Sequence, residues 1–332
     1  MPDRERASLS ARPLVSVILP FFATPGAFFR AAVDSVLAQA YDNWELLLVD
    51  DGSAEASSSL ARGYEREQPR RVRYLEHDGH VNLGHSASRN LGLQRARGEL
   101  IALLDADDVW LPDKLEDQVS LMEANPDAAM LYANTVYWYS WTGDDSAGQR
   151  DFTPELGVEA DRMVDPPRLV PLFLNGRAAV PCTCSVLVRR AVADRLGGFE
   201  DFFSSRYGDQ AFYVKVCLEE PVYVAAGCWD MYRQHPESVT TAMSRDEARR
   251  WRTLFLEWVD SYVRSRGASN SEIDAAVRRE LWNLRHPAAA RVLRLGRKLT
   301  RRAYGNRSLF FPRSDSGILA PESSKYARHE PP

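Results

Sequence analysis

The stretch that decides the fold is LIALLDADDVW (Leu100–Trp110), in which an aliphatic run leads directly into three carboxylates. Such a run, flanked by a glycine and a proline, is typical of a buried strand in a parallel sheet. Crowded carboxylates repel one another, and Mg²⁺ or Mn²⁺ relieves the repulsion because these cations prefer oxygen ligands. The stretch therefore predicts a metal site at Asp105, Asp107 and Asp108. A solvated acidic loop, or a cap on the next helix, is the alternative.

Length and composition set the broad class. The chain has 332 residues, of which 45% are hydrophobic and 27% are charged, so it can bury a large core as one domain with an appendage or as two domains. Its net charge of −4 argues against a nucleic-acid partner. The sequence has no apolar run of about eighteen residues and no secretory leader, and residues 1–13 are polar. We therefore expect a disordered leader and a cytoplasmic location.

The cysteines agree with that location. The chain has four, Cys182, Cys184, Cys217 and Cys228, and they form no paired Cys-x-x-Cys motif. A Cys-x-Cys inside an apolar segment favours buried thiols in a reducing compartment over a metal site.

Strand and helix patterns alternate through residues 14–137, which predicts right-handed βαβ units and a parallel sheet. Strands are expected at residues 14–19, 44–49, 72–75, 100–104 and 129–137. The second of them also ends in acids, Asp50 and Asp51. Ligands of such sheets bind at the carboxyl ends of the strands, so both acidic clusters should lie at one edge.

The second half is less regular. Residues 138–180 are Pro-rich and hold Trp138 and Trp141, which would either stack on an acceptor or cover the core. Further strands are expected at residues 184–188 and 222–226. Asp209 directly precedes a helix, where a cap and a general base are equally reasonable roles. His235, taken alone, is more often structural.

The C-terminal region is helical and charged from residue 243, with a basic amphipathic stretch at residues 285–307 and a Pro/Ser-rich tail from residue 311. The basic stretch predicts either a helix packed on the domain or a peripheral contact with anionic lipid at the inner face of a membrane. The tail is expected to be flexible.

Residues 14–240 resemble the family 2 glycosyltransferases of the GT-A fold. The segments that carry the resemblance are, in order, VSVILPFF, SVLAQAYDNWELLLVDDGS, VNLGHSASRNLGLQRARGELIALLDADDVWLPDKL, SVLVRRAVADRLGGFED, GDQAFYVKV and YRQHPESVT. The resemblance implies a Rossmann-like mixed sheet flanked by helices over residues 14–242. It also implies a nucleotide-sugar half at residues 14–137, an acceptor half at residues 138–242, a helical extension at residues 243–310 and a tail at residues 311–332.

The resemblance also implies site residues. Contacts with the nucleotide sugar are implied for Pro20, Phe22, Asp50, Asp51, Gly84, Arg89, Asn90, Asp107 and Arg233. Metal ligands are implied for Asp105, Asp107, Asp108 and His235, with Mg²⁺ or Mn²⁺ as the cofactor. Asp209 corresponds to the catalytic base, and Gly208 stands where the family usually has Glu.

The implied reaction is inverting transfer from a nucleotide-diphospho-sugar, most often a UDP sugar, to a hydroxyl of a glycan, a lipid-linked sugar or a protein, as in polysaccharide biosynthesis. Two other classes stay open. A sugar-phosphate nucleotidyltransferase would usually carry a basic Gly-rich loop where this chain reads PFFATPG. A non-catalytic nucleotide-binding protein on the same fold would bind a donor and transfer nothing.

Overall fold

The computed structural model describes residues 12–143, 150–238, 243–268 and 270–291. The chain divides into two compact units, residues 1–285 and 286–332. The second unit is described only at residues 286–291, so the elements and the site below belong to the first.

Nine strands and nine helices of the described residues form the first unit. The strands are β1 Val15–Phe21, β2 Trp44–Asp50, β3 Val72–Glu76, β4 Leu100–Leu103, β5 Val109–Trp110, β6 Met130–Trp138, β7 Arg162–Val164, β8 Leu187–Arg189 and β9 Val222–Arg233. The helices are α1 Gly26–Leu37, α2 Glu55–Glu67, α3 His85–Arg95, α4 Lys114–Ala124, α5 Leu169–Leu174, α6 Arg190–Arg195, α7 Gly208–Glu219, α8 Arg245–Ser265 and α9 Ser271–Arg285.

All nine strands belong to one mixed sheet with the order β3-β2-β1-β4-β8-β6-β9-β5, and β7 pairs with β9. The first four strands in that order are parallel. Strand β8 then runs antiparallel to both β4 and β6, and β9 is parallel to β6. The mixed sheet agrees with the expected fold class, and the parallel part is the βαβ half predicted from alternation.

Each face of the sheet carries its own core because successive strand residues point to opposite sides. In β1, Val17 and Leu19 pack into the core that receives α1, α2 and α4. Ile18 packs into the other core, which receives α3 and α5–α9. The fully buried strands explain the unbroken aliphatic runs of the sequence.

Helices α8 and α9 are part of this core. Ser244 and Glu247 form a capping box at the start of α8, which satisfies backbone donors there. Phe255 and Val259 of α8 and Val277 of α9 are buried in the same cluster as the sheet residues. These contacts agree with a first compact unit that continues through residue 285. Most of the basic stretch, including Arg294, Arg297, Lys298, Arg301, Arg302 and Arg307, lies outside the described residues.

The observed strands differ most from the sequence-based boundaries at β1, β8 and β9. Strand β1 continues through Pro20 to Phe21, where its pairing with β4 has already ended, and a strand edge tolerates the missing N–H of proline. Strand β8 starts later than expected because residues 183–185 form a 3₁₀ turn. Strand β9 is 12 residues long and runs on to Arg233. Among the described residues, no helix has the length and apolar character needed to cross a membrane.

Candidate active site

A cleft of about 470 Å³ opens at the carboxyl ends of β1 and β4. It brings together, from the residues implied by the resemblance, Pro20, Phe22, Arg89, Asp105, Asp107, Asp209 and His235. A larger cavity of about 700 Å³ lies elsewhere, beside Asn134 and Arg168, and contains none of the cleft acids. The acids and the strand ends identify the smaller cleft as the candidate site.

The three acids that follow β4 do not form one cluster. Asp105 and Asp107 line the cleft, and their side chains are 28% and 27% exposed. Asp108 is fully buried and does not line the cleft. Its Oδ1 accepts the backbone N–H of Arg233 at 2.9 Å, and its Oδ2 has no hydrogen-bond partner in the part of the chain that the structure describes. The predicted three-carboxylate metal site is therefore divided into two cleft-facing acids and one acid beneath them.

Asp107 and His235 form the pair best suited to a hard cation. His235 Nε2 lies 3.0 Å from Asp107 Oδ2, and both residues line the cleft. The second ring nitrogen, Nδ1, is buried and has no hydrogen-bond partner within residues 12–143, 150–238, 243–268 and 270–291. One carboxylate and one imidazole at the mouth of a polar cleft fit Mn²⁺ or Mg²⁺ with positions left for other oxygen ligands.

Arg89 is the cation between the acids on the two sides of the cleft. Its Nη2 donates to Asp105 Oδ1 at 2.6 Å, and the side chain is almost fully buried. Burial alone would lower the pKa of Arg89, but the negative charges of Asp105 and Asp209 outweigh burial and raise it. Arg89 therefore stays charged and offsets part of the negative potential of the cleft.

Asp209 lies in the first turn of α7 and faces the cleft. Tyr207, in the left-handed region at φ 62°, caps the helix, so Asp209 is not its N-cap. Asp209 Oδ1 accepts the backbone N–H of Gln210 at 2.8 Å. Burial raises the pKa of Asp209, and nearby Arg89 opposes that rise only in part. A carboxylate in this position can take a proton from a group bound in the cleft.

Gly208, the departure from the family pattern, has a local explanation. A Cβ at this position would collide with Ser86 Oγ, which itself donates to the backbone oxygen of Phe203 at 2.8 Å. Helix α3 therefore packs so closely against the start of α7 that no side chain fits there. Asp209 keeps its place in the cleft without the neighbouring Glu.

Asp50 and Asp51 are used within the fold and do not line the cleft, although both acids follow β2 as expected. Asp50 accepts the Ser53 backbone N–H at 2.7 Å and the Tyr74 hydroxyl at 2.8 Å, and it also accepts the Ser58 hydroxyl. Burial alone would raise its pKa, but these hydrogen bonds lower it overall. Asp51 is almost fully buried and accepts the backbone N–H of Leu83 at 2.8 Å.

Gly84 and Asn90 hold α3 in position instead of facing the cleft. Gly84 has φ +91°, donates to Asp51, and would bring a Cβ within 2.5 Å of the Ser204 backbone oxygen. Asn90 donates to the backbone oxygen of Phe199 and to Asp201, both at 2.8 Å. These two residues orient the helix that carries Arg89.

Arg233 is enclosed by aromatic rings behind the cleft. Its guanidinium carbon lies 4.4 Å from the ring centre of Phe28, 4.5 Å from that of Trp138 and 5.2 Å from that of Trp141. Its Nε donates to the backbone oxygen of Asp107 at 2.8 Å. The two tryptophans thus pack on an arginine, and Arg233 supports the turn that carries Asp107 without lining the cleft.

Sequence reasoning missed several cleft residues. These are His85, Cys182, Arg206 and Glu237, together with the aromatic residues Tyr137, Tyr207 and Tyr232. His85 had a readable signal, since it is the first residue of α3 and follows the Gly84 turn. Tyr137 and Tyr232 lie near the ends of β6 and β9, and the others come from irregular segments, so the position of all of them depends on tertiary packing.

The family of the chain follows from comparison with known proteins. A sequence model of "Glycosyl transferase family 2" matches residues 16–197. The chain belongs to this family. Its similarity to the putative teichuronic acid biosynthesis glycosyltransferase TuaG of Bacillus subtilis is 40% identity over 112 residues, which is 33% of this chain and 42% of TuaG. Similarity to WfgD of Escherichia coli, named as a UDP-Glc β-1,3-glucosyltransferase, is 36% over 121 residues, 36% of this chain and 45% of WfgD. The chain spans less than half the length of these relatives.

Solved structures identify the fold as GT-A. S. aureus TarS in complex with UDP-GlcNAc superposes with a TM-score of 0.60 at 17% identity, covering 82% of this chain and 73% of that one. The mannosyltransferase PcManGT of Pyrobaculum calidifontis, solved with GDP-Man and Mn²⁺, gives 0.53 at 17% identity, covering 90% and 77%. This chain, a family 2 glycosyltransferase, therefore has the mixed sheet of the GT-A fold.

Proposed function

We propose that this glycosyltransferase moves a hexosyl group from a nucleotide-diphospho-sugar to an acceptor hydroxyl by a single inverting displacement. The observation that carries the proposal is the cleft itself. Asp105 and Asp107 enter it from the end of β4, Asp209 enters from α7, and Arg89 interacts with Asp105 and Asp209. A single displacement requires one group that binds the cation and another that accepts the proton of the acceptor. In this cleft, acids from two separate elements can supply both functions.

The donor we propose is a UDP sugar. The TarS structures were solved with UDP and UDP-GlcNAc, and the name of WfgD specifies UDP-Glc. In this chain Pro20 and Phe22 at the end of β1 border the cleft and would contact the nucleotide. Asp107 and His235 would hold Mg²⁺ or Mn²⁺, a Lewis acid for the departing diphosphate.

Within this proposal, the residues of the chain have distinct roles. Asp209 accepts the proton of the acceptor hydroxyl during attack, which makes that hydroxyl a competent nucleophile. Arg89 is buried and charged, so it stabilises negative charge that develops on the donor side of the cleft. Arg233 and the aromatic rings around it fix the backbone of Asp107. The end of β2 and helix α3 are held in place by Asp50, Asp51, Gly84 and Asn90.

The acceptor we propose is a saccharide hydroxyl of a glycan or a lipid-linked sugar, although a protein acceptor is compatible with the same chemistry. Tyr137, Tyr207 and Tyr232 line the cleft and offer aromatic faces for a sugar ring. The names of TuaG and of the Myxococcus xanthus O-antigen biosynthesis protein RfbC refer to cell-surface polysaccharides. The proposal includes action at the cytoplasmic face of a membrane.

A donor panel tests the proposal. The purified chain is mixed with nucleotide sugars and Mn²⁺, and thermal stabilisation and release of nucleoside diphosphate are measured. We expect one donor to stabilise the protein only with the cation, Asp107→Asn to lose that stabilisation, and Asp209→Asn to keep it while losing transfer. The control is Asp42→Asn, an exposed acid remote from the cleft.

Two results would overturn the proposal. Transfer by Asp107→Asn at the wild-type rate would remove the cation role. Release of pyrophosphate from a nucleoside triphosphate, instead of nucleoside diphosphate from a sugar nucleotide, would identify a nucleotidyltransferase.

A further inference from the structure

A cluster of sulfur and oxygen atoms lies directly beneath the cleft acids. Cys184 lies in the 3₁₀ turn before β8 and Cys182 directly precedes that turn, and their Sγ atoms are 3.2 Å apart. Asp108, on the turn after β4, brings a carboxylate oxygen to the same place. One atom from each of the three residues lies within 4.8 Å of the other two. The adjacency of β4 and β8 in the sheet creates this cluster, and residue spacing alone did not reveal it.

Asp108 is the observation that points to a ligand. The residue is fully buried, and its Oδ2 has no hydrogen-bond partner among the described residues. An unpaired buried carboxylate oxygen costs free energy unless a proton or a cation satisfies it. Asp230, the nearby acid, also has an Oδ2 without a hydrogen-bond partner among the described residues, but Lys114 Nζ lies 3.6 Å from that oxygen and balances its charge. The Cys184 thiol donates to Asp230 Oδ1 at 3.4 Å, and metal binding would replace that contact. Arg233 gives Asp108 a backbone N–H and directs its Nε to Asp107 instead.

From this geometry we propose a second cation site, selective for a thiophilic divalent ion such as Zn²⁺ and formed by Cys182, Cys184 and Asp108. Two thiolates and a carboxylate are ligands that zinc accepts and that Mg²⁺ does not favour. Tetrahedral zinc, with bonds of about 2.3 Å to sulfur and about 2.0 Å to oxygen, places ligand atoms about 3.5–3.8 Å apart. The three ligands therefore need only modest side-chain adjustments.

Binding would release the thiol protons of the two cysteines and leave both as thiolates on the ion. Cys182 also borders the cleft, which gives water access to a fourth coordination position. The site is separate from Asp107 and His235, which supply only oxygen and nitrogen. The proposal of this site does not depend on the proposed transfer reaction, because its test measures metal binding and needs no sugar donor or acceptor.

Cobalt titration tests this site on the full chain. The protein is reduced, its four thiols are counted, and Co²⁺ is added while the sulfur-to-cobalt charge-transfer absorption is recorded. We expect that absorption to saturate at one ion per chain and to be displaced by Zn²⁺. Cys182→Ser and Cys184→Ser should each reduce the Zn²⁺ affinity at least tenfold, and Asp108→Asn should reduce it too.

Matched controls separate the site from others in the chain. Cys217→Ser and Cys228→Ser change the remaining cysteines and should leave the cobalt absorption intact. Asp107→Asn with His235→Ala should also keep it, while Mn²⁺ binding is lost. No thiolate absorption in the reduced protein, or an unchanged absorption in Cys184→Ser, would overturn the proposal. Thermal unfolding of each variant identifies any that fails to fold, and in that case Cys182→Ala replaces Cys184→Ser as the deciding variant.

Discussion

Asp209 combines a cleft-facing position with a carboxylate that is harder to ionise than usual. Burial raises its pKa, and Arg89 offsets that effect only in part. A general base must be deprotonated to act, so its activity should appear as the pH rises through that raised pKa. The acid limb of kcat/KM should therefore lie above the ordinary aspartate pKa of about 3.9. A pH–rate profile measures it, with Asp42→Asn as the unchanged control.

The same raised pKa has a consequence for stability. A carboxyl group whose pKa is higher in the folded than in the unfolded protein stabilises the fold at low pH and loses that contribution as pH rises through the folded pKa. At pH 7 the ionised Asp209 therefore costs stability, and Asp209→Asn should unfold at a higher urea concentration than the wild type. A lower midpoint at pH 7 would contradict this expectation, while equal midpoints below pH 3 would agree with it.

At the scale of single elements, the turn before α3 depends on glycine. Gly84 and Gly176 both have positive φ, but a Cβ at Gly84 would meet the Ser204 backbone, whereas at Gly176 it would meet nothing within 4 Å. Alanine at either position must adopt a positive φ, which lowers the free energy of unfolding by about 1 kcal/mol. We expect Gly84→Ala to lose more than Gly176→Ala in urea unfolding, because only the first also collides. Equal losses would show that the close approach is unimportant.

Arg233 links the end of β9 to the Asp107 turn. Lysine would keep the charge but lose the planar stacking on Phe28 and Trp138 and the Nε bond to Asp107. We expect Arg233→Lys to destabilise the protein by about 1–3 kcal/mol. It should also weaken Mn²⁺ binding, because the turn is less fixed. The control is Arg70→Lys, which changes an exposed arginine. Wild-type Mn²⁺ affinity in Arg233→Lys would argue against the positioning role.

The elements show what a sequence can and cannot reveal. Buried strands such as β2 and β4 were readable because their aliphatic runs are continuous, and the ordered motifs predicted the fold. The sequence does not predict which acids of a turn face the cleft. Asp107 lines the cleft, whereas its neighbour Asp108 is fully buried. The role of Arg233 depends on Phe28, Trp138 and Asp107, which are far away in the sequence. For the same reason, the meeting of Asp108 with Cys182 and Cys184 could not be predicted from spacing.

At the scale of the whole molecule, the C-terminal helices reach the reaction cleft through aromatic packing. Phe255 of α8 stacks on Tyr207 at 4.8 Å, and Tyr207 lines the cleft beside Asp209. Phe255→Ala should cost about 3–5 kcal/mol of unfolding free energy and should also lower kcat. Phe173→Ala removes a buried ring away from the cleft and should cost similar stability with kcat unchanged. Equal kcat values in the two folded variants would disprove the link.

The order of the strands along the chain constrains how the protein can fold while it is being synthesised. Strand β6 is synthesised long before β8 and β9, yet among the strands that the structure describes it pairs with those two later ones. Asp107 likewise waits for His235, which is 128 positions further along the chain. A ribosome-bound fragment ending near residue 137 would thus have an unpaired strand and an incomplete site. We therefore expect that the proposed nucleotide-sugar half and the proposed acceptor half would not fold as separate modules.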